Sequence, residues 1–479
     1  MQVKKEAISG VKWTTLATVS TAICAILKIS ILARFLETSD FGLMALVTFV
    51  LGFMDLFMDM GLTSAILYKQ DISKDEYNSL YWLNVLFSFL LFVGVLALSP
   101  IIAQFYDEPQ LKKLLPLMGF GIIFSAFGRQ FKTILQKELD FRAISIIEII
   151  ASLSSLVLAI ILAINGFGVY SLVLSALLQY FLSNTVFFFI GIGRKSLGFY
   201  FNFNKTRPFL KIGIYKVGGQ IINYFNRDLD VLIIGKFFGA ELLGGYSLAK
   251  QLVKRPLAIF DQVIIKVSVS ILPRFQDKKG ELLNSFLMLI RGMSVANAAI
   301  YGTMAICAPL LVEIFYGEGY SHLFGFVRFF AIIFYFRSLG GVVGILAITK
   351  GRTDIEFYWN ILLLCIFPPV ILIGAQFGIE MILALMAGTQ IMLNFPLWRI
   401  FYKKLLYMEL MGYIKAIFTP FLVGSLIFLM YSSIFGYFGS VFVQIASSLV
   451  LVVLLFVYAF VTDTNFKNYI RSQIFGGGS

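Results

Sequence analysis

The chain is a succession of apolar segments that short polar turns separate. A helix needs about 20 mainly apolar residues to cross the hydrocarbon core of a bilayer. The pattern predicts fourteen such helices, at residues 11–35, 41–67, 80–104, 114–135, 143–164, 168–192, 209–235, 240–270, 281–312, 323–349, 355–376, 379–401, 413–436 and 440–461. Because lipid leaves backbone groups no partner outside a helix or closed barrel, the predicted fold class is an all-α polytopic membrane protein.

The pattern also repeats, at an offset near 202 residues. ILARFLETSDFGLMAL, from Ile31, aligns with IIGKFFGAELLGGYSLA, from Ile233, and Gly42 falls on Gly244. SPIIAQFYDE at 99–108 resembles APLLVEIFYGE at 308–318. Each copy holds an even number of spans, so we expect two six-helix lobes related by an axis along the membrane normal, around a central cavity. They are predicted at 1–195 and 196–405, with two peripheral helices within 406–471 and a tail at 472–479 that ends in a linker-like GGGS.

The composition agrees with a membrane protein and excludes several kinds of chemistry. The chain is 59% hydrophobic and only 14% charged, against about 25% charged in soluble domains. Cys24, Cys307 and Cys365 lie in apolar stretches without metal-ligand spacing, and His322 is the single histidine. No Walker A pattern occurs, so ATP is not expected to be the direct energy source. We therefore expect no catalytic residues, no metal and no organic cofactor.

The positive charge is distributed unevenly between the two sides of the membrane. The formal net charge is +13, but the Lys and Arg of the short loops fall almost all on one side. Only Arg34, Lys112, Lys113 and Lys236 fall on the other. The positive-inside rule then places both termini in the cytoplasm. Since the excess is mostly a topology signal, no nucleic-acid partner is expected.

Charged residues also lie within the predicted spans, where they normally face a bundle interior or a water-filled cavity. The basic ones are Lys28, Lys216, Arg227, Lys250, Lys254, Arg255, Lys266, Arg291 and Arg337, and the acidic ones are Asp55, Asp59, Glu148, Asp228, Asp230 and Asp261. This balance predicts a cationic cavity that suits an anionic cargo. Snorkelling toward the headgroups is the alternative for Lys254, Arg255, Lys266 and Glu148.

Two short stretches concentrate the polar residues. In MDLFMDMG, residues 54–61, Asp55 and Asp59 are four apart and share one helix face. They are interpreted as a coupling and charge-balancing pair; the alternative is a fixed ion pair with Lys28. In the seventh span, a polar stripe at three- and four-residue spacing is interpreted as cavity lining, with interhelical hydrogen bonding that only fixes packing as the alternative. Its members are Asn223, Asn226, Arg227 and Asp230.

Several segments resemble one known family of transporters. They are ISGVKWTTLATV, ILARFLETSDFGLMAL, SLYWLNV, RQFKTILQKELDF, IINYFN and LLGGYSLAKQL. Over nearly the whole chain, they are similar to bacterial polysaccharide flippases of the multidrug/oligosaccharidyl-lipid/polysaccharide exporter superfamily. The type is that of the colanic acid and teichuronic acid exporters. The lipid II flippase subtype has several arginines deep in its first two helices, whereas this chain has Lys28 and Arg34 there.

The resemblance implies a function and a cargo. The cargo would be an oligosaccharide repeat unit linked through diphosphate to undecaprenol, moved from the inner to the outer leaflet of the bacterial cytoplasmic membrane by alternating access. Exchange of Na⁺ or H⁺ would drive the motion. The partners would be this lipid-linked oligosaccharide and membrane lipids, with a polysaccharide polymerase and a chain-length regulator as further candidates. A cation-coupled multidrug exporter on the same fold and a membrane glycosyltransferase or polymerase are the alternatives.

The predicted site combines the residue pattern with the resemblance. The substrate-binding candidates are Lys28, Lys216, Asn223, Tyr224, Asn226, Arg227, Lys250 and Arg291. The candidates for ion coupling or charge balance are Asp55, Asp59, Asp230 and Asp261. The colanic acid type is expected to have uncharged polar residues at the positions of Lys28 and Asp261, so this departure predicts a different cargo or coupling ion here. Arg presents a planar fork to phosphate oxygens, and Asn and Tyr suit sugar hydroxyls.

Overall fold

The structure is a computed structural model that describes residues 2–59, 66, 72–194, 197–272, 278–435 and 440–462. Within these ranges it is helical and contains no strand. Thirteen helices in the described ranges are long and apolar enough to cross a membrane. The predicted all-α membrane fold is therefore confirmed.

The first compact unit, Met1–Ser247, contains the helices that come first along the chain. They are α1 (Gln2–Leu32), α2 (Thr38–Asp59), α3 (Lys74–Tyr106), α4 (Leu111–Lys137), α5 (Phe141–Ile164), α6 (Val169–Arg194) and the first part of α7 (Phe203–Ile271). A capping box begins α3: Ser73 Oγ accepts from the Glu76 N–H at 3.3 Å, and Glu76 Oε2 accepts from the Ser73 N–H at 3.0 Å. Such caps satisfy N–H groups that have no partner within the first turn.

The second compact unit, Leu248–Ser479, contains the rest of α7 and the later helices. They are α8 (Lys279–Ile306), α9 (Ala308–Tyr316), α10 (Leu323–Thr349), α11 (Thr353–Ala375), α12 (Ile379–Met392), α13 (Asn394–Leu397), α14 (Lys404–Leu406), α15 (Leu410–Phe435) and α16 (Val441–Thr462), with a 3₁₀ helix at Glu318–Tyr320 and a π-helix at Trp398–Lys403. The last two helices correspond to the predicted peripheral pair. Both pack against α8.

Helix α7 is interrupted at one residue. Gly239 has φ 74° and ψ −178°, a backbone conformation that favours glycine. The apolar stretch around it, Val217–Pro256, has 40 residues. At 1.5 Å per residue it would measure about 60 Å, roughly twice the hydrocarbon core of a bilayer. The predicted seventh and eighth spans are thus the two sides of this break, which brings thirteen long helices close to the fourteen predicted spans.

The internal repeat is visible as a close crossing between α2 and α7. A Cβ on Gly42 would lie 1.8 Å from the Ala240 carbonyl oxygen, and a Cβ on Gly244 would lie 1.8 Å from that of Thr38. The offset of 202 residues equates Gly42 with Gly244 and Thr38 with Ala240. In each contact, the glycine of one copy meets the residue that lies four positions before the glycine of the other copy. The same pair of positions thus meets twice, as in an isologous contact across a two-fold axis.

The first compact unit extends beyond the end of the first repeat. The repeat predicts a lobe boundary at 195, whereas the compact unit runs to Ser247. The physical reason is that α7 packs against α2 at the glycine crossing and again where Tyr224 meets Phe49, with ring centres 5.2 Å apart.

Candidate functional site

A polar cavity of about 760 Å³ lies inside the first unit, among α1, α2, α4, α5 and α6. Its polar lining comprises Thr21, Thr48, Asp55, Ser125, Arg129, Lys132, Thr133, Gln136, Glu148, Gln179, Tyr180, Ser183 and Asn184. Its volume lies within the range of about 300–1,000 Å³ that small-molecule sites occupy. Several of these groups have partners within the protein, as the Thr21, Thr133 and Ser183 hydroxyls donate to backbone carbonyl oxygens of the preceding turn. Their remaining hydrogen-bonding capacity suits water or a polar ligand.

Helix α4 supplies one edge of this cavity because of its periodicity. Ser125, Arg129, Lys132 and Gln136 follow one another at intervals of four, three and four residues. This spacing places them on one helix face. Helix α6 packs beside α4 and adds Gln179 and Ser183, which are four residues apart, and Tyr180 and Asn184, which are also four apart.

Two ion pairs cross the cavity lining. Arg129 Nη2 on α4 donates to Asp55 Oδ1 on α2. Lys132 Nζ on α4 donates to Glu148 Oε1 on α5 at 2.5 Å. The two cations and the two carboxylates of this cavity balance, so the expected cationic excess is absent from it.

Asp55 and Lys28, considered above as an alternative ion pair, each contact another residue in the structure. The side-chain partner of Asp55 is Arg129, and the Lys28 ammonium donates to Ser155 Oγ on α5 at 3.2 Å. Asp55 therefore ties α2 to α4 rather than α2 to α1.

The polar stripe of α7 divides into exposed and buried members. Asn223 and Arg227 are exposed, and Asn226 is half-buried. Arg227 Nε donates to Asp228 Oδ2 at 2.6 Å, and its guanidinium lies 5.4 Å from the ring centre of Tyr224. Asn223 and Arg227, at i and i+4, thus offer an accessible amide and guanidinium.

Tyr224 and Asp230, by contrast, have internal partners. Tyr224 is 5% exposed, and its hydroxyl donates to the Phe49 carbonyl oxygen at 2.5 Å. Asp230 is 4% exposed; its carboxylate accepts from the Tyr246 hydroxyl and, at 3.1 Å, from the Val231 N–H. Tyr224 therefore fastens α7 to α2, and Asp230 joins the two sides of the Gly239 break within α7.

The remaining predicted residues fall in two groups. In the second unit, Lys250 on α7 is buried and Arg291 on α8 is half-buried. Asp59, Lys216 and Asp261 lie outside the residues whose side chains the structure describes. Their predicted roles stay predictions.

The second unit has a cavity of a different character. It measures about 290 Å³ and lies between α8, α10 and α15. Its lining is apolar apart from a few groups such as Arg328, whose Nε donates to the Ala305 carbonyl oxygen at 3.3 Å. Such a surface suits a hydrocarbon chain better than a sugar.

Sequence reasoning missed Arg129 and misplaced Lys132. Arg129 lies in the predicted span 114–135 and is a charged residue in an apolar run, which is itself a signal of function. Lys132 counts among the basic loop residues in the topology argument, although the predicted span 114–135 contains it; in the structure it stands on α4 and lines the cavity. The amide side chains of α6 carry no charge and so gave no comparable signal.

Comparisons with known proteins point in one direction. A family profile described as "Polysaccharide biosynthesis protein" matches residues 31–324. The lipopolysaccharide biosynthesis protein WzxC of Escherichia coli (strain K12) is 29% identical over 381 residues, which cover 78% of this chain and 76% of that protein. The teichuronic acid biosynthesis protein TuaB of Bacillus subtilis (strain 168) is 24% identical over 431 residues, 88% of each chain.

Among solved structures, the lipid II flippase MurJ has a similar fold. The TM-score is 0.75 at 13% identity, and the match covers 94% of this chain and 99% of that one. At this identity the likeness concerns the fold alone.

Proposed function

Because the chain belongs to the polysaccharide biosynthesis protein family, we propose that it is a flippase for lipid-linked oligosaccharides. It moves undecaprenyl-diphosphate-linked repeat units from the inner to the outer leaflet of the bacterial cytoplasmic membrane. The exported units serve exopolysaccharide, O-antigen, capsule or teichuronic acid synthesis. Both termini face the cytoplasm, and a polymerase and a chain-length regulator receive the product.

The observation that carries this proposal is the polar cavity enclosed by membrane-crossing helices. Sugar hydroxyls and phosphates lose their hydrogen bonds to water on entering hydrocarbon, at a cost of several kcal/mol for each group. The hydroxyl and amide groups along α4 and α6 offer replacement partners. The undecaprenyl chain needs no such replacement and stays in the lipid.

We propose the following roles for the predicted residues. Asn223, Asn226 and Arg227 are accessible enough on α7 to contact sugar and phosphate. Lys28, Lys216, Lys250 and Arg291 supply further positive charge for the diphosphate, while Asp55, Asp59, Asp230 and Asp261 bind the coupling Na⁺ or H⁺ or balance charge. For Tyr224 we propose a positioning role, since its hydroxyl is already bound to Phe49.

The glycine crossing supplies a closure for alternating access. Gly42 and Gly244 let two helix backbones approach closely, as small residues do at membrane helix interfaces. By the predicted topology, this crossing lies near the outer membrane surface. Separation of α2 from α7 there opens the path to the outer leaflet.

The test is deletion of the gene in its own host, followed by analysis of lipid-linked oligosaccharides and surface polymer. We expect intermediates to accumulate and polymer to disappear, and the wild-type gene to restore both. Unchanged polymer with normal intermediates would contradict the proposal. Ethidium efflux measured in the same strains tests the drug-exporter alternative. That alternative predicts lower efflux in the deletion strain, with normal lipid-linked intermediates.

A further inference from the structure

Arg129 uses little of its hydrogen-bonding capacity in the described structure. Its guanidinium makes one hydrogen bond to a described residue, from Nη2 to a single oxygen of Asp55. A guanidinium carries five N–H donors in a planar fork that matches two oxygens of a phosphate or carboxylate. The side chain lines the cavity, so the rest of this fork faces a space large enough for a ligand.

The two members of the pair differ in exposure. The Arg129 side chain is 24% exposed and that of Asp55 is 59% exposed. Asp55 lines the cavity and is the more accessible partner, whereas the more enclosed guanidinium would remain without an anion if the carboxylate left. The carboxylate is therefore the partner that a competing anion can replace.

A second pair of the same kind lies one turn along the same helix. Lys132, three residues after Arg129, is held by Glu148. The two carboxylates come from different helices, α2 and α5, while both cations stand on α4. Helix α4 thus presents two adjacent cations, each neutralised by a carboxylate that reaches across from a neighbouring helix.

We propose that Asp55 is a placeholder on Arg129, which an anionic group of the cargo displaces when it enters the cavity. The ligand is a phosphate or a carboxylate of the lipid-linked oligosaccharide, and Arg129 is a binding residue for it. This inference rests on the proposed function and adds to it a residue and an exchange step.

The exchange explains why a cargo cavity contains its own anions. An unpaired guanidinium between membrane helices is costly, and the resident carboxylate removes that cost while the cavity is empty. Because the incoming anion must displace Asp55, its net affinity is lower than that of a bare guanidinium. Lower affinity permits release after transport, which a carrier needs as much as binding.

The test is isothermal titration of the purified full-length protein in nanodiscs, with inorganic pyrophosphate and sodium glucuronate as separate probes. We expect Asp55→Asn to bind the effective probe about tenfold more tightly than wild type and Arg129→Gln to bind it at least tenfold more weakly. The matched control is Arg352→Gln, which removes a surface arginine paired with Asp354 at 2.8 Å in the second unit and should leave affinity unchanged. Saturation by pyrophosphate identifies the carrier diphosphate, and saturation by glucuronate identifies an acidic sugar.

Folding is controlled with a thermal melt and with Arg129→Lys, which keeps the charge and loses the fork. We expect its affinity to fall between those of wild type and Arg129→Gln. Equal affinities of wild type and Asp55→Asn, full affinity in Arg129→Gln, or no binding of either probe would each overturn the exchange. If deletion of the gene abolishes export while these affinities do not differ, the exchange fails and the flippase stands. If deletion leaves export intact, the flippase itself fails.

Discussion

Gly42 and Gly244 occupy equivalent positions of the internal repeat and meet at one helix crossing. Each faces a carbonyl oxygen of the other's helix, and a Cβ on Gly244 would also lie 3.0 Å from the Gly42 nitrogen. Backbone cannot move aside as a side-chain tip can. The crossing therefore demands glycine on both helices.

We expect Gly42→Ala and Gly244→Ala each to force α2 and α7 apart. Overpacking of this kind costs about 1–3 kcal/mol, so the melting temperature should fall and export should be impaired. The matched control is Gly94→Ala on α3, where an added Cβ meets nothing within 4 Å. There alanine should be neutral or slightly stabilising. Equal melting temperatures for Gly42→Ala and Gly94→Ala would contradict the close crossing.

Tyr224→Phe separates a packing role from a sugar-binding role. The change keeps the ring and deletes the hydroxyl that donates to Phe49. We expect a loss of about 1 kcal/mol in unfolding free energy, measured by denaturation in detergent micelles. Tyr358→Phe, at an exposed tyrosine on α11, is the control and should change nothing. An unchanged stability with lowered export would favour direct contact with sugar instead.

The Asp230–Tyr246 hydrogen bond should be among the stronger single contacts of α7. Both residues are buried, and hydrogen bonds to charged groups contribute about 1.5–3 kcal/mol. We expect Tyr246→Phe to lower stability by that amount. A double-mutant cycle with Asp230→Asn should show that the two effects are not additive. Additive losses would mean that the two side chains act independently.

Cys307 should be a protected thiol that reports on unfolding of the second unit. Burial raises the pKa of the Cys307 thiol, while a hydrogen bond with Ser448, at 3.2 Å, partly opposes the rise. Since the reactive thiolate is scarce below a raised pKa, alkylation by iodoacetamide at pH 8 should be slow in the folded protein and fast in denaturant. Mass spectrometry of the labelled peptides measures both rates. Rapid labelling of the folded protein would contradict the buried position.

Sequence patterns identify the fold well because hydrophobic length and internal repetition are local properties. Gly42 and Gly244 align in the repeat, and the structure brings them together. The partner of Asp55 was not predictable in the same way, because Arg129 stands on a helix that the chain reaches only after crossing α3. Helical spacing groups Tyr224 with polar neighbours, but the phenylalanine side chains of α2 decide its burial. Lys132 was missed for another reason: near the cytoplasmic end of a span, a lysine looks in sequence like the loop lysines that set the topology.

The break at Gly239 also has a counterpart in the first repeat. The offset of 202 residues places it on Glu37, at the end of the turn Ala33–Glu37 that joins α1 to α2. One copy thus joins its first two helices through a five-residue turn, and the other joins them through a single glycine. A one-residue break leaves far fewer backbone dihedrals to rearrange than a five-residue turn does. The two copies of the repeat therefore connect their first two helices with very different conformational freedom.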